Sequence, residues 1–147
     1  MHRCLFILIG CVSYAAAFGQ FTNYRISPAT HSPVEPSVAI NPLNTNEVAV
    51  GAVLDDYYFS TDGGVHWKSD TLKSPYGVYG DPVLQFDANG RLYYFHLSNY
   101  SKGAWIDRIV CQYTDSYTKA PSFSAGSFPK PNGRKAQDKH WIDIDPT

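Results

Sequence analysis

Residues 60–67 read Ser-Thr-Asp-Gly-Gly-Val-His-Trp, directly after the most strand-like part of the chain, and this stretch decides the fold. An Asp followed by two glycines favours a tight turn, because the carboxylate accepts hydrogen bonds from backbone N–H groups that follow it. Gly63 and Gly64 can adopt positive φ at little cost. Trp67 can fold back under the turn into the core and fix the hairpin. The stretch therefore predicts a rigid turn between two antiparallel strands.

Four short strands are predicted around this turn. They are separated by turn-forming residues, and apolar residues alternate along them. The segments are Glu35–Asn41, Glu47–Val53, Asp56–Ser60 and Lys68–Leu72. Together they predict one four-stranded antiparallel unit over residues 35–73. The preceding residues, 20–34, contain Pro28 and Pro33 and are predicted to form an extended entry segment.

The first strand, Glu35–Asn41, has a pattern that recurs twice along the chain. It consists of an acidic residue and Pro, then apolar residues at alternate positions and a final Asn or Asp. Asp81–Asp87 repeats it at an offset of 46 residues. Lys139–Asp145 opens a third copy after a further 58, with Lys and His in place of the acidic residue and Pro. An offset of this size is typical of a repeat made of one small sheet. The sequence therefore predicts a second four-stranded unit, residues 80–130, and the first strand of a third, residues 138–147.

The turn and the repeat resemble a known family. Ser60, Asp62, Gly64 and Trp67 fit the pattern S-x-D-x-G-x-x-W and resemble the Asp box, or BNR repeat, of sialidases and related β-propellers. In that family the box joins the third and fourth strands of a blade, and His66 stands where the family usually has Thr. The resemblance implies an all-β, sialidase-like β-propeller with just over two four-stranded antiparallel blades. The alternative for the turn is an ordinary Asp-Gly hairpin.

Propellers protect their sheet edges by closing radially with about four to eight blades. We therefore expect the chain to be an N-terminal fragment of a longer propeller. Two alternatives are a short open sandwich of two sheets and a propeller assembled from several chains.

The N-terminus has the features of a targeting segment. Met1–Arg3 is a short basic start, Cys4–Val12 is an apolar run too short to span a bilayer, and small residues for cleavage follow at Ala15–Ala17. Residues 1–19 are thus predicted to be a signal peptide, and the protein is expected to be secreted or extracytoplasmic. The alternative is a lipoprotein anchored through Cys11, because the residues before that Cys resemble a bacterial lipobox.

Composition narrows the function classes. The 147 residues suit one domain, and a formal net charge of −1 implies neither nucleic acid nor a membrane surface as a partner. Aromatic residues make up 15% of the chain, which favours strands over helices. Cys4 and Cys11 lie in the leader, so Cys111 has no intrachain partner in the mature protein and a disulfide scaffold is excluded.

The family resemblance also suggests catalytic candidates. Sialidases place three arginines on the substrate carboxylate, and the sequence around Arg25 resembles the Y-R-I-P motif of the first, with Ser27 inserted before the proline. Asp55 or Asp56, before the box, stands roughly where the family has its catalytic acid. The residues alone favour a surface Arg25 and a solvated turn at the two aspartates. The chain by itself is therefore not expected to be a working sialidase.

No cofactor or metal is predicted. Asp138, His140, Asp143 and Asp145 carry oxygen and nitrogen donors, but their spacing is not diagnostic of a metal site. Asp145 is explained by the repeat, since an Asn or Asp also ends the first two copies.

Two functions follow from the resemblance. In the first, the chain is a fragment of a secreted sialidase-like BNR-repeat protein whose parent is a glycoside hydrolase or is associated with glycans. In the second, it comes from a non-catalytic β-propeller that binds a glycan or a protein. The expected partner in both is a glycan or glycoprotein.

Overall fold

The computed structural model describes residues 22–99, 106–116, 122–133 and 135–145. Within these ranges the chain is all-β, with seven strands and no helix. Accordingly, nothing in the described ranges forms an apolar helix that could cross a membrane. The predicted signal peptide, residues 1–19, and the alternative anchor at Cys11 lie outside the described residues.

Sheet 1 contains the four strands predicted around the turn at residues 60–67. Each strand is antiparallel to the next, in the order β1-β2-β3-β4. Their bounds are β1 Val34–Ile40, β2 Val48–Val53, β3 Asp56–Ser60 and β4 Lys68–Thr71. The prediction of four strands here is confirmed, with each end within one residue of the expected position.

Sheet 2 is smaller than predicted. It has three antiparallel strands in the order β5-β6-β7, which are β5 Val83–Phe86, β6 Leu92–Ser98 and β7 Arg108–Thr114. The fourth strand expected within residues 80–130 does not form in the described part of that range. Only an isolated antiparallel bridge joins Cys111 to Ser127. Pro129 and Pro131 follow that bridge, and a proline has no N–H with which to extend a ladder.

The first strand of a third unit, expected over residues 138–147, is also not observed. Residues 138–145 have no strand hydrogen bonding, and residues 146 and 147 lie outside the described part of the chain. The segment nevertheless lies beside β5, because the Gln85 amide donates a hydrogen bond to Asp143 at 3.3 Å. A strand needs a ladder partner along its edge, and no described residue supplies one here.

The core lies between the two sheets. Sheet 1 contributes small and aromatic side chains from its inner face, and Leu72 follows β4; sheet 2 contributes larger aliphatic and aromatic ones. The members of this core are Ala39, Ala49, Tyr57, Phe59, Leu72, Leu84, Phe86, Leu92 and Tyr94. At the edge of the interface, the backbone N–H of Leu84 donates to Ser37 Oγ at 2.9 Å, which links β5 to β1.

The turn at residues 60–67 is closed by its own side chains. Ser60 Oγ accepts from the Gly64 N–H at 2.9 Å, and Asp62 Oδ1 accepts from Ser60 Oγ and from the His66 N–H, both at 2.9 Å. Trp67 Nε1 donates to the Gly64 carbonyl at 2.7 Å. The predicted rigid turn is thus present. Trp67 packs against Gly64 but stays half-buried and outside the central core, so its expected insertion into the core is wrong.

Acid should weaken this turn through Asp62. Hydrogen bonds from the backbone and the imidazole of His66 lower the pKa of Asp62 from 3.8 to about 2. Because the folded-state pKa is depressed, the stabilisation is complete above 3.8 and is lost as the pH falls towards about 2. Asp62→Asn should therefore lower the urea midpoint at neutral pH and flatten its decline through the acid range. Identical pH profiles for the variant and the wild type would contradict the role given to Asp62.

Candidate functional site

Arg25 lies on the surface and binds the backbone of its own loop. Its guanidinium donates hydrogen bonds to four carbonyl oxygens at 3.0–3.1 Å, those of Ser27, Pro28, Ala29 and His31. These bonds close residues 27–31 into a compact loop. The guanidinium is therefore engaged within its own loop, which is not the arrangement of a clamp for a substrate carboxylate.

Asp56 and Asp55 lie at the β2–β3 turn and have different surroundings. Asp56 Oδ2 is 2.7 Å from Nε2 of His31, so Asp56 contacts the loop that Arg25 closes. A groove of about 470 Å³ lies between this loop and the edge of sheet 1. Its lining includes Asp56, Tyr58 and Asp70, whereas Asp55 is not part of it. The structure thus brings Arg25 and Asp56 to the same loop but does not join Asp55 with them.

A second groove forms where the three copies of the repeat begin. Glu35, Asp81 and Lys139 occupy the same position in the three copies, and all three lie at this groove. Their φ angles are 51°, 45° and 70°, and no other non-glycine residue in the described ranges has a positive φ. Such backbone is uncommon outside glycine, and residues that have it are enriched at binding and catalytic sites. We call this groove, of about 270 Å³, the entry groove.

The entry groove combines charged and aromatic groups. Lys139 Nζ lies 3.7 Å from Asp81 Oδ2 and 5.8 Å from the centre of the Trp141 ring. Trp141 itself is 83% exposed. Pro36 and Pro82, each following an acidic residue, form part of the wall. A flat exposed ring next to hydrogen-bonding groups is typical of sites that bind ligands with both apolar and polar faces.

The titrating groups of the entry groove influence one another. Asp81 raises the pKa of Glu35, first by a side-chain hydrogen bond and then by its negative charge, while Lys139 opposes the shift. Burial lowers the pKa of His140, which forms part of the same wall. Within the described part of the chain, neither ring nitrogen of His140 has a hydrogen-bond partner. Glu35 therefore holds its proton more readily than an isolated glutamate, and His140 holds its proton less readily than an isolated histidine.

The sequence did not reveal this site. In the sequence the acidic residues at 35 and 81 mark positions of the repeat, and His140 is only a candidate metal ligand. The recurrence itself was the available signal, because equivalent positions of a repeat meet when the copies pack side by side. In the described ranges, no three side chains of His, Cys, Asp or Glu are grouped so as to hold a metal ion.

The chain was compared with known proteins in three ways. No protein-family model, no curated protein and no solved structure matches it.

Proposed function

We propose that the chain is part of an exported, sialidase-like Asp-box β-propeller and that its entry groove binds a glycan. The observation that carries this proposal is the meeting of Glu35, Asp81 and Lys139, each with positive φ, around one groove. Three equivalent positions of a repeat with the same rare backbone are consistent with blades arranged side by side around an axis.

Contacts between the copies support the propeller. Gln85 and Asp143 are equivalent positions of the second and third copies, and their side chains are hydrogen-bonded at 3.3 Å. Ser37 of the first copy accepts from the backbone of Leu84 in the second. The beginnings of successive copies are therefore neighbours in space, as radial repetition requires.

The groove fits binding better than hydrolysis. The two carboxyl groups of a glycosidase stand about 5–5.5 Å or about 6.5–9.5 Å apart, so that a sugar or a water fits between them. Glu35 and Asp81 instead influence each other directly, since Asp81 raises the pKa of Glu35. Arg25 is held by backbone carbonyls, so the one arginine assigned from the family motif is not free for a carboxylate.

The chemistry of the groove favours an uncharged sugar. Two carboxyl groups and one ammonium give the groove no excess of positive charge for an anionic sugar, whereas carboxylates and Lys139 can bond sugar hydroxyls. The Trp141 ring offers a flat apolar surface for the C–H face of a pyranose. The second candidate function is hydrolysis, and the observation in its favour is that two carboxyl groups, those of Glu35 and Asp81, line one groove, as glycoside hydrolysis requires a pair of them.

Trp141→Ala should weaken binding of neutral oligosaccharides by at least about tenfold, a factor that corresponds to about 1.4 kcal/mol. The ring is 83% exposed, so its removal should leave the fold intact. Titration calorimetry on a panel of neutral and sialylated oligosaccharides would measure the effect. The matched control is Val65→Ala, which removes an exposed apolar side chain from the turn at residues 60–67.

Equal affinities of Trp141→Ala and the wild type for the oligosaccharides would show that the entry groove does not bind them. Release of free sugar during the titration, abolished by Glu35→Gln, would instead establish the hydrolase.

The export part of the proposal has its own test. Mass spectrometry of the protein recovered from a secreting host should find a mature N-terminus near Phe18 or Gln20. The control is Leu8→Arg, which places a charge in the apolar run Cys4–Val12 and should block this processing. Recovery of a chain that begins at a lipid-modified Cys11 would favour the lipoprotein.

A further inference from the structure

A cavity of about 330 Å³ lies between the end of β4 and a segment that follows β7. Its walls are Tyr57 of β3, residues 70–73 at the end of β4, and Ser122 and Phe123. We call it the β4 cavity. Its volume lies at the lower end of the range for small-molecule sites, about 300–1,000 Å³, which suits a ligand of one ring.

The wall of the β4 cavity contains a buried hydroxyl group that is not hydrogen-bonded. Tyr57 is 1% exposed, and its ring packs on Phe59 at 5.8 Å and against the edge of Phe123 at 5.4 Å between ring centres. Within the described ranges, Tyr57 Oη has no hydrogen-bond partner. The neighbouring Tyr94 hydroxyl, by contrast, donates to the Asp56 carbonyl at 3.4 Å. An unpaired buried hydroxyl is costly, so its retention calls for an explanation.

The Tyr57 hydroxyl belongs to the polar side of the cavity. Tyr57 and Asp70 lie directly opposite each other on β3 and β4, so their side chains share one face of sheet 1. Burial raises the pKa of Tyr57, and the negative charge of Asp70 raises it further. Tyr57 therefore presents a neutral hydroxyl, which can both donate and accept a hydrogen bond, beside a carboxylate.

The two walls of the β4 cavity are held in place by Gln112 of β7. Gln112 is 1% exposed, and its amide donates to the Lys73 carbonyl at 3.0 Å and to the Ser124 carbonyl at 2.6 Å. The Ser124 N–H in turn donates to the Tyr113 carbonyl at 2.8 Å, and its hydroxyl accepts from the Tyr113 N–H at 3.0 Å. The cavity is thus preformed, which lowers the entropy cost of binding a ligand.

We propose that the β4 cavity binds a small neutral ligand rich in hydroxyl groups, either a single sugar ring or a cyclic polyol. The opposite charges of Asp70 and Lys73 favour a ligand without net charge. The carboxylate and the ammonium can each hydrogen-bond a ligand hydroxyl, and a further ligand hydroxyl would pair with Tyr57 Oη. The Phe123 ring offers an apolar surface to the C–H groups of the ligand.

The β4 cavity is separate from the entry groove, because the two have no lining residue in common. Both sheets that form its walls belong to this chain, and the inference does not depend on the glycan proposed for the entry groove.

Ligand-observed saturation-transfer NMR on the full chain tests the proposal, with glucose, galactose and myo-inositol as separate probes. The wild type should bind at least one of them. Tyr57→Phe should weaken that binding by about tenfold or more and leave the thermal midpoint equal or higher, because it removes only an unpaired hydroxyl. Asp70→Asn, at an exposed position of β4, should also weaken binding without loss of the fold. Tyr93→Phe, a tyrosine outside the cavity, is the matched control and should keep the wild-type affinity.

Three results would overturn the proposal. The first is a wild type that binds none of the three probes. The second is a Tyr57→Phe variant with a lower thermal midpoint and unchanged binding, because its hydroxyl would then serve only the core. The third is binding that is lost in Trp141→Ala and kept in Asp70→Asn, because the probe would then occupy the entry groove. Binding kept in Trp141→Ala and lost in Tyr57→Phe and Asp70→Asn would support the β4 cavity whatever the fate of the entry groove.

Discussion

Tyr94→Ala should destabilise the protein by about 3–5 kcal/mol, the usual cost of removing a buried aromatic ring. Tyr94 is fully buried between the sheets, with ring centres of Tyr57 at 6.3 Å and Phe123 at 5.8 Å. Its removal would leave a cavity at the point where both sheets meet, and the neighbouring rings are too rigid to fill it. Equilibrium urea unfolding, followed by tryptophan fluorescence, would measure the loss.

Two controls separate the effect of losing the ring on stability from the effect of losing its hydroxyl and from that of removing an exposed tyrosine. Tyr94→Phe should cost about 1 kcal/mol or less, because the hydroxyl makes only a long hydrogen bond of 3.4 Å to the Asp56 carbonyl. Tyr24→Ala removes the same side chain from a site that is 60% exposed and should change stability by less than about 0.5 kcal/mol. A loss for Tyr94→Ala no larger than for Tyr24→Ala would show that the two sheets do not pack as described.

Sheet 1 could be predicted from the sequence because two features of the sequence identify each of its strands. Apolar residues alternate along Glu35–Asn41, and turn residues separate every strand from the next. The predicted turn is then closed by the side chains of Ser60 and Asp62 and by the backbone N–H of Gly64. Local chemistry and the final packing agree in this part of the chain, so the pattern was sufficient.

Sheet 2 and the third copy were predicted less well because pairing depends on distant partners. The residues around Ser127 had to pair with β7 as a full strand, yet prolines limit them to a single bridge. Lys139–Asp145 has the pattern of a strand but no ladder partner in the described chain. Alternation predicts which residues suit a strand, while the presence of a partner is a property of the whole fold.

The candidate site was the hardest part to predict. The backbone of Glu35, Asp81 and Lys139 is left-handed, and no side-chain property of these residues predicts that conformation. The prediction for Trp67 was wrong for another reason, because its large ring was expected in the core and lies instead against the turn. Hydrophobic patterning therefore identified sheets, whereas the groove depended on the arrangement of repeat copies in space.

Gly51→Ala should also cost stability, by about 1–3 kcal/mol, through overpacking of the interface between the sheets. Gly51 lies inside β2, where a glycine normally weakens a strand, so a close neighbour is the reason for its presence. A Cβ atom at this position would lie 2.5 Å from Tyr94 Oη and 2.7 Å from Leu84 Cδ1. Both contacts are far shorter than carbon and oxygen atoms tolerate, so the side chains of Tyr94 and Leu84 would have to shift.

A double-mutant cycle distinguishes this clash from a general loss of strand geometry. Leu84→Ala removes the Leu84 atom that the new methyl group would meet, and Tyr94→Phe removes Tyr94 Oη while Cζ stays at 2.8 Å. Gly51→Ala should therefore cost less in either background than in the wild type, with a coupling of about 0.5–3 kcal/mol in urea unfolding. Additive losses in both backgrounds would mean that Gly51 serves the backbone of β2 and not the approach of Tyr94. Coupling would instead place the contact of Gly51 with Tyr94 among the features that hold the two sheets in register.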